Sequence, residues 1–518
     1  MSIVVQPVTQ HFAALCDARA SADPDGAAVG DAEVVLTNQQ LLERVVAAGS
    51  YLREHGANRG DVVALRLPNG LDFVILLLAA WRIGCTVTPV NPGLKDDELQ
   101  HQLDDSGASV LVDVDGSTPT RGPAVIASEE VPITGGDRDL RASLDSSSLA
   151  LLIYTSGTTG RPKGVMLTHQ NVMAMASTGA QSLAITSADR SLLILPLFHV
   201  NGIVVSVLVP LLHGGSTIIA GRFDPATFLE LVERTRATYF SGVPTIYAML
   251  AATAQPGASD TSSLRFALCG AAPAPPGVLV AFEERFGFPV VEGYGLSEGT
   301  CASTVNPWDG LRKQGTVGLP MPGQQVRVVN GEGAEVGAGV TGEVQIKGAN
   351  VMAGYLGQPQ ETEAVLVDGW LLTGDLGHLD EDGYLVIDGR VKDMIIRGGE
   401  NIYPREIEDV LTRHPHVADA AVVGRPDPTW GEIVIAFVAA DPGVDTAQTF
   451  VELEELCQER LAPFKRPTVI WALPSLPLNP VGKVDKRKLR SVAIEAATAG
   501  GTPRDGWQEH ILGGPGQS

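Results

Sequence analysis

The chain has 518 residues, of which 44% are hydrophobic and 19% are charged, a composition that is ordinary for a folded globular protein. With 37 basic and 60 acidic side chains its net charge is −23, which argues against nucleic acid or an anionic membrane as the main partner. The five cysteines never occur in a C-x-x-C spacing, which excludes a zinc ribbon and a disulfide scaffold, so we expect a cytoplasmic protein. The strongest apolar run, residues 73–81, is too short to span a bilayer, so we expect no stable membrane insertion.

Short apolar runs alternate with segments of helical spacing from residue 35 to about residue 300. In the first pair, a predicted strand at 62–65 precedes a predicted helix at 71–82. In the second pair, a predicted strand at 86–90 precedes a predicted helix at 96–102. Further buried strands are predicted at 191–196, 217–220 and 266–269. Alternation of this kind predicts an α/β protein with parallel sheets and helices on their faces.

The pattern changes near residue 315 and again near residue 389. Runs at 326–329 and 343–346 lie between glycine-rich turns and predict a small antiparallel unit. Beyond 389 the predicted elements form a compact α+β domain: helices at 406–414 and 450–461, strands at 420–423 and 434–439. We therefore predict domains at 1–389 and 390–497 and a flexible tail at 498–518.

The segment 154–164, Tyr-Thr-Ser-Gly-Thr-Thr-Gly-Arg-Pro-Lys-Gly, carries the clearest functional signal. It follows a buried apolar run, and its glycines let backbone N–H groups converge on one point, where hydroxyls and a lysine add donors. These features predict a loop that wraps an oligophosphate. Its donors are Thr155, Ser156, Gly157, Thr158, Thr159, Gly160 and Lys163. Pro162 before the lysine and Gly164 after it do not fit the Walker A pattern, which disfavours an ordinary P-loop NTPase.

This loop resembles the signature of the adenylate-forming superfamily, which comprises acyl-CoA synthetases, luciferases and peptide-synthetase adenylation domains. Four further segments follow in the family's order: 293–298 resembles its adenine and metal motif, 370–375 its ribose motif, 388–402 its hinge and the following loop, and 479–483 its C-terminal lysine motif. The resemblance implies a large N-terminal domain of two doubly wound subdomains plus a small β-barrel-like unit, and a smaller, mobile α+β C-terminal domain.

The resemblance also implies roles for individual residues. Lys163 and the loop hydroxyls would cradle the leaving phosphates, and Glu298 would hold Mg²⁺, a hard cation that prefers oxygen ligands. The catalytic set is Lys163, His199, Glu298 and Lys483. The other residues implied to contact the nucleotide are Gly270, Ala271, Ala272, Tyr294, Gly295, Ser297, Asp375 and Arg390. Ser297 stands where the family usually has threonine, a change that keeps the hydroxyl.

Coenzyme A is the acceptor implied for the second half-reaction. The C-terminal domain would rotate about a hinge at Lys392 and exchange Lys483 for the Gly398–Gly399 loop. By resemblance to aryl-CoA ligases, Trp430, Phe464 and Arg466 would grip the CoA nucleotide, whereas Thr468 replaces a basic residue of some relatives. The alternative for the two aromatic side chains is packing in the core.

The implied acyl pocket is formed by small and apolar residues. Its members are His199, Asn201, Gly202, Val243, Gly270 and Ala271. It contains neither lysine nor arginine, which counts against a second carboxylate such as that of malonate or oxalate. The small residues leave room for a medium or long chain, or for a bulky aryl or alicyclic ring.

Two alternatives remain open. Residues 295–299 match the G-x-S-x-G pattern of an α/β-hydrolase with Ser297 as nucleophile, although that elbow requires a helix that Pro307 would interrupt early. A homologue that only forms thioesters, or only binds nucleotide, would keep the same motifs. The interpretation we adopt is an ATP-dependent, AMP-forming acyl-CoA ligase, most like a bacterial fatty-acid or aryl-CoA ligase. It would use ATP, Mg²⁺ and coenzyme A, and would be a monomer or homodimer without nucleic acid.

Overall fold

The structure is a computed structural model, and it describes residues 7, 9, 11–118, 120–156, 162–253, 257, 259–271, 277–440, 446–478, 483–499 and 508–511. The chain divides into two compact units. The first comprises residues 1–271, 278–327 and 345–373, and the second comprises 272–277, 328–344 and 374–518.

The strands are short, as expected of sheets in an α/β protein. In chain order they are β1 Ala27–Gly30, β2 Val35–Thr37, β3 Val62–Arg66, β4 Thr86–Pro89, β5 Ala108–Asp113, β6 Ala124–Ala127, β7 Leu149–Ser156, β8 Pro162–Thr168, β9 Arg190–Leu193, β10 Ser216–Ile219, β11 Tyr239–Gly242, β12 Phe266–Cys269, β13 Val290–Tyr294, β14 Thr304–Val305, β15 Leu319–Pro320, β16 Gln325–Val329, β17 Gly342–Lys347, β18 Gly354–Tyr355, β19 Leu366–Val367, β20 Trp370–Leu379, β21 Leu385–Arg390, β22 Ile395–Arg397, β23 Glu400–Ile402, β24 Val417–Asp427, β25 Gly431–Ala440, β26 Val469–Leu473 and β27 Gln508–Ile511.

The helices cover the faces of these sheets. In chain order they are α1 Leu15–Ala22, α2 Asn38–Glu54, α3 Leu71–Ile83, α4 Asp96–Ser106, α5 His169–Leu183, α6 Val209–Leu212, α7 Phe228–Thr235, α8 Pro244–Thr253, α9 Val278–Phe286, α10 Pro359–Val365, α11 Pro404–Leu411, α12 Thr446–Arg460 and α13 Lys486–Ala499. A π-helical segment, Gly202–Leu208, leads into α6.

One sheet of the first unit has the strand order β18-β8-β7-β4-β3-β5-β6 over the described residues. The strands from β7 to β6 run parallel, and β8 and β18 are antiparallel. Helix α3 is apolar over nearly its whole length and is buried from Phe73 to its end, because it lies inside the unit rather than at the surface. The parallel strands and the helices between them confirm the prediction for residues 62–102.

The other large sheet of this unit has the order β15-β14-β13-β12-β11-β9-β10-β1-β2 over the described residues. Its strands from β13 to β1 are parallel. The strand order reverses at β9, because β10 pairs with one side of β9 and β11 pairs with the other. In doubly wound sheets, ligands bind outside the carboxyl ends of the strands at such a point.

A smaller sheet has the order β16-β17-β20-β19, with β21 paired to β20. Strand β20 is antiparallel to both β19 and β21. The predicted strands at 326–329 and 343–346 correspond to β16 and β17, which confirms the small β unit.

The last sheet lies in the second unit and has the order β23-β22-β25-β26-β27, with β24 paired to β25. Helices α11 and α12 supply Ile407, Leu411 and Leu453 to the core on one face, and α13 supplies Leu489 and Ala493 to the core on the other. Helices thus cover both faces of this sheet, as the predicted α+β domain requires. Together with the parallel sheets of the first unit, this confirms the predicted α/β fold class.

The end of the chain differs from the predicted flexible tail. Residues Gln508–Ile511 form β27, which pairs antiparallel with β26. The prediction was wrong there because β27 is short and polar, and its pairing depends on the open edge of β26, which a local pattern does not reveal. The other residues of the predicted tail beyond 499 lie outside the described part of the chain. Among the described helices, none has the length and apolar character needed to cross a membrane.

The buried His169 makes the stability of the first unit depend on pH. The ring is 6% exposed and packs edge-on against Trp81, with ring centroids 5.4 Å apart, and neither of its nitrogens has a hydrogen-bond partner among the described residues. Burial lowers the pKa of His169 to about 4, with a smaller contribution from His11. Between about pH 6.5 and 4 the unfolded chain therefore binds a proton that the folded chain excludes.

We accordingly expect stability to fall as the pH drops through this window, by up to about 3 kcal/mol for this group. His169→Phe should flatten the pH dependence of the urea midpoint relative to the natural protein, whereas His55→Phe, a change at an exposed position, should leave it as it was. Parallel curves for the His169→Phe variant and the natural protein would contradict the expectation.

Candidate active site

The predicted phosphate loop joins two antiparallel strands. Strands β7 and β8 pair with Thr155 opposite Lys163 and Ser156 opposite Pro162. The hairpin thus holds both ends of the loop in fixed register. The predicted donors Gly157, Thr158, Thr159 and Gly160 lie outside the described residues.

Lys163 occupies a buried position at the loop end of this hairpin. The residue is 8% exposed, and its Nζ lies 2.6 Å from Oε2 of Glu361, which belongs to α10. The same ammonium lies 5.1 Å from the ring centroid of Tyr355. An anion and an aromatic face therefore fix the cation predicted to bind phosphate.

Glu298, the predicted magnesium ligand, is connected to the same segment. It lies in a 3-10 turn, Ser297–Gly299, and its Oε1 accepts a hydrogen bond of 3.0 Å from the hydroxyl of Tyr355. Burial raises the pKa of Tyr355, and the negative charge of Glu298 raises it further, so the phenol stays protonated and donates. Among the described residues, no three His, Cys, Asp or Glu side chains form a metal cluster, so the metal prediction depends on Glu298 alone.

The segment around Glu298 does not form a nucleophile elbow. Strand β13 ends at Tyr294, the 3-10 turn contains Ser297, and the extended strand β14 follows. A Cβ on Gly295 would lie 2.1 Å from the carbonyl oxygen of Cys301, so the close return of the chain requires glycine there. The α/β-hydrolase alternative is thereby wrong, because no helix follows Ser297 to hold a nucleophile at its N-terminus.

The predicted acyl-pocket residues follow the carboxyl ends of adjacent parallel strands. His199 follows β9, Val243 follows β11, and Gly270 and Ala271 follow β12. Gly202 begins the π-helical segment. The structure therefore brings these residues to one edge of the sheet, at the point where the strand order reverses. Ala272 lies outside the described residues.

Polar side chains accompany this edge. Ser241 of β11 is buried and donates a hydrogen bond of 3.1 Å to Oδ1 of Asn201. Burial raises the pKa of the Cys301 thiol to about 12, and Asn201 opposes this by hydrogen bonding to the sulfur. The rings of Phe198 and His199 lie 4.5 Å apart between their centroids.

Asp375 and Arg390 form an ion pair in the second unit. The two residues are directly opposite in the β20–β21 pairing, and Nε of Arg390 lies 2.7 Å from Oδ1 of Asp375. Asp375 is 4% exposed, whereas the guanidinium of Arg390 is half exposed. The pairing fixes the carboxylate and leaves Arg390 able to contact a ligand, as the predicted ribose site requires.

Lys483 lies in the same electrostatic environment. Loss of hydration is the main cause that lowers its pKa, the positive charge of Arg390 lowers it further, and the negative charge of Asp375 opposes both. Two predicted nucleotide-binding residues of the second unit thus act on the predicted catalytic lysine. The four residues before Lys483 in its motif lie outside the described residues.

Gly398 and Gly399 form the turn between β22 and β23. Their φ angles of +61° and +89° are those of a two-residue hairpin turn, which glycine adopts without strain. A Cβ on Gly398 would lie 3.1 Å from the Trp430 ring, and the backbone N–H of Gly398 donates to the Trp430 carbonyl at 2.7 Å. Trp430 is 47% exposed, so the core-packing alternative is wrong for this residue.

The other predicted residues of the second unit have local partners. Phe464 is partly buried against the core beneath α12. The guanidinium of Arg466 donates to the carbonyls of Leu461 and Gln458, each at 3.0 Å, and so caps the end of α12. Lys392, the predicted hinge, lies exposed in a 3-10 turn, Val391–Asp393.

Tyr355 and Glu361 were missed by the sequence analysis, as were Ser241 and Cys301. The first pair lies in β18 and α10, far along the chain from the residues they contact. A tyrosine and a glutamate in a strand-to-helix segment form no sequence motif that predicts a functional role. Only the fold shows that Tyr355 contacts Glu298 and that Glu361 contacts Lys163.

Comparison with known proteins assigns the chain to a family. A model of the family described as AMP-binding enzyme matches residues 16–356, and one described as AMP-binding enzyme C-terminal domain matches 406–483. Sulfoacetate–CoA ligase from Cupriavidus necator is 37% identical over 502 residues, covering 93% of this chain and 98% of that protein. Feruloyl-CoA synthase from Amycolatopsis is 38% identical over 481 residues, covering 91% and 97%.

The fold matches that of solved enzymes along nearly the whole chain. The structure of o-succinylbenzoate CoA synthetase from Bacillus subtilis, in complex with its acyl-adenylate intermediate, superimposes with a TM-score of 0.83. The two sequences are 32% identical, and the match covers 94% of this chain and 98% of the other.

Proposed function

Because the chain belongs to the family of AMP-binding enzymes and is an AMP-forming acid–CoA ligase, we propose that it activates an aryl or fatty monocarboxylic acid as acyl-AMP and transfers the acyl group to CoA. The observation that carries this proposal is the pairing of Asp375 with Arg390 beside Lys483. It is the arrangement that the ribose site and the catalytic lysine of such a ligase need.

The proposed role of each catalytic side chain follows from its charge. Lys163 neutralises the leaving phosphates, and Lys483 stabilises charge on the carboxylate and the α-phosphate as they react. Mg²⁺, when bound, supplies further neutralisation of the phosphate oxygens. Glu298 fits this role because it presents a hard oxygen ligand that the hydroxyl of Tyr355 holds in place.

The acid is proposed to carry a polar substituent on an apolar body. Asn201, Ser241 and Cys301 bring an amide, a hydroxyl and a thiol to the edge where the acyl pocket is predicted. These neutral donors and acceptors can hydrogen-bond to a ring hydroxyl, an ether or a ketone of the substrate. They cannot neutralise a second negative charge on it. A phenylpropenoic acid of the ferulate type, the substrate class named for one relative, meets this description.

The proposed CoA site involves the Gly398–Gly399 turn. Trp430 is exposed and offers a flat apolar face to a ligand. The neighbouring glycine turn has no side chains, so a ligand can come close to its backbone. Both features suit pantetheine and the adenine of CoA. Arg466 contributes less than the resemblance implied, because its guanidinium already caps α12.

The test is pyrophosphate release by the purified protein with ATP and Mg²⁺. The acid panel contains phenylpropenoic acids, benzoic acids, fatty acids of increasing length, sulfoacetate and oxalate, each with and without CoA. Products are identified by mass. We expect acid-dependent pyrophosphate and an acyl-CoA product, with the highest kcat/KM for a ring-substituted aryl acid.

The other outcomes separate the alternatives. Highest activity with sulfoacetate or oxalate would contradict the proposed acid class and leave the ligase assignment intact. Activity only on preformed acyl-adenylates would identify an enzyme that performs the second half-reaction alone. No turnover in either assay, with ATP still bound, would identify a nucleotide-binding homologue.

A further inference from the structure

Lys163, Tyr355, Glu298 and Glu361 form a connected set, the Lys163 network. The ammonium of Lys163 contacts Glu361 at 2.6 Å and the Tyr355 ring at 5.1 Å, and the hydroxyl of that ring donates to Glu298 at 3.0 Å. Glu361 thus contacts the ammonium directly, and Tyr355 lies between the ammonium and Glu298.

The segment that carries Tyr355 and Glu361 is fixed to the rest of the hairpin. Tyr355 pairs with Val165 in the β18–β8 ladder, and the N–H of Leu356 donates to the carbonyl of Gly164 at 2.8 Å. The hydroxyl of Thr362 accepts a hydrogen bond of 2.9 Å from the N–H of Tyr355. These bonds hold the start of α10 next to Lys163, so Glu361 meets the lysine because of backbone structure and not by a chance approach of two flexible side chains.

The ion pair has a direct chemical consequence for phosphate binding. An ammonium has three donors, and a carboxylate at 2.6 Å occupies one of them and cancels its charge. Glu361 is half exposed, so its carboxylate can move into water when another anion approaches the lysine. A polyphosphate that reaches Lys163 must compete with this carboxylate.

We propose that Glu361 is a positioning residue that competes with the polyphosphate for Lys163 and thereby sets how tightly pyrophosphate is held. The proposal rests on the phosphate-binding role proposed above for Lys163. The carboxylate keeps the ammonium in place before the nucleotide binds. It recaptures the ammonium as pyrophosphate leaves, so the product does not remain bound to an unpaired buried cation.

The test measures binding of inorganic pyrophosphate, with Mg²⁺, to the purified full-length protein by calorimetry. Glu361→Gln keeps the shape of the side chain and removes its charge, and we expect it to lower the Kd for pyrophosphate about three- to tenfold. In steady state the KM for ATP should fall while kcat does not rise. The matched control is Glu363→Gln, an exposed position on the same helix, which should change neither quantity.

A double-mutant cycle shows whether the effect acts through the lysine. Lys163→Met keeps the apolar stem and should raise the Kd for pyrophosphate more than about tenfold. In that background Glu361→Gln should change the Kd by less than about twofold. An equal improvement in both backgrounds would overturn the proposal, because it would reflect only the removal of a negative charge from the surface. Weaker pyrophosphate binding by Glu361→Gln alone would overturn it too.

Failure of this proposal and failure of the proposed function are distinguishable. If Lys163→Met leaves pyrophosphate binding unchanged, the phosphate-binding role of Lys163 is wrong. If Lys163→Met weakens binding and Glu361→Gln does not tighten it, only the competition by Glu361 is wrong. Thermal midpoints of the variants within a few degrees of the natural protein identify each result as an effect on binding and not on folding.

Discussion

Replacing Lys483 by alanine is expected to lower the rate of acyl-adenylate formation by about 10²-fold or more. The ammonium is the proposed source of positive charge at the reacting carboxylate, and no methyl group can replace it. Thioester formation from preformed acyl-adenylate should stay within about threefold of the natural rate, because the proposed domain rotation exchanges the lysine for the Gly398–Gly399 loop in that step.

The electrostatic environment of Lys483 explains why the effect should be large. Loss of hydration and the positive charge of Arg390 lower its pKa although the residue is exposed, so neighbouring groups act on the ammonium directly. Arg390 and Asp375 act on its pKa with opposite signs, the first lowering it and the second raising it.

The measurement is single-turnover formation of acyl-AMP from acid and ATP, with thioester formation followed separately. Lys488→Ala is the matched control, because it removes an exposed lysine of α13 five positions along the chain. It should leave both half-reactions unchanged. Equal loss of both half-reactions in Lys483→Ala would show that the lysine supports folding or substrate binding, and an unchanged overall rate would show that its assignment is wrong.

The second large effect concerns stability. Arg19→Met is expected to lower the unfolding free energy of the first unit by about 3–5 kcal/mol. Arg19 is 2% exposed, and its guanidinium donates to Asn38 Oδ1 at 2.7 Å and to the carbonyls of Leu211, Ala27 and Gly215 at 2.5, 3.1 and 2.8 Å. Methionine fills the space and leaves four acceptors, in three buried hydrogen bonds and one partly buried one, without this donor.

Arg19→Lys should recover only part of the loss, since an ammonium cannot reproduce the fixed fork that reaches acceptors from four segments of the chain. The thermal midpoint measures the effect, and we expect it to fall by about 6–20 °C for Arg19→Met. Arg121→Met, at an exposed position, is the control and should change the midpoint by no more than about 2 °C. A full recovery by lysine would show that the charge alone matters and that the geometry of the four bonds does not.

The parallel sheets and the residues at their carboxyl ends were predictable from the sequence. Strand–helix alternation reports local burial, and the order of the motifs follows the order of the strands that carry them. For that reason Gly270 follows the strand predicted at 266–269, as expected. The proximity of Asp375 and Arg390 was also foreseeable, because the resemblance implies that both contact the nucleotide.

The rest depended on side-chain contacts and exposure that only the folded structure shows. Lys163 and Glu361 are 198 residues apart, and no local pattern indicates that they meet. Arg466 has a motif position that suggests ligand binding, yet its guanidinium is used by the two carbonyls at the end of the preceding helix. Trp430 could equally have packed inside, since sequence gives its size and apolar character but not the side of the sheet on which the turn places it.

Strand β27 also bears on how this protein is handled in the laboratory. It covers the outer edge of β26, whose backbone would otherwise present unpaired donors and acceptors to other molecules. We expect a shortened chain that ends before residue 508 to lose that cover and to self-associate through the exposed edge of β26.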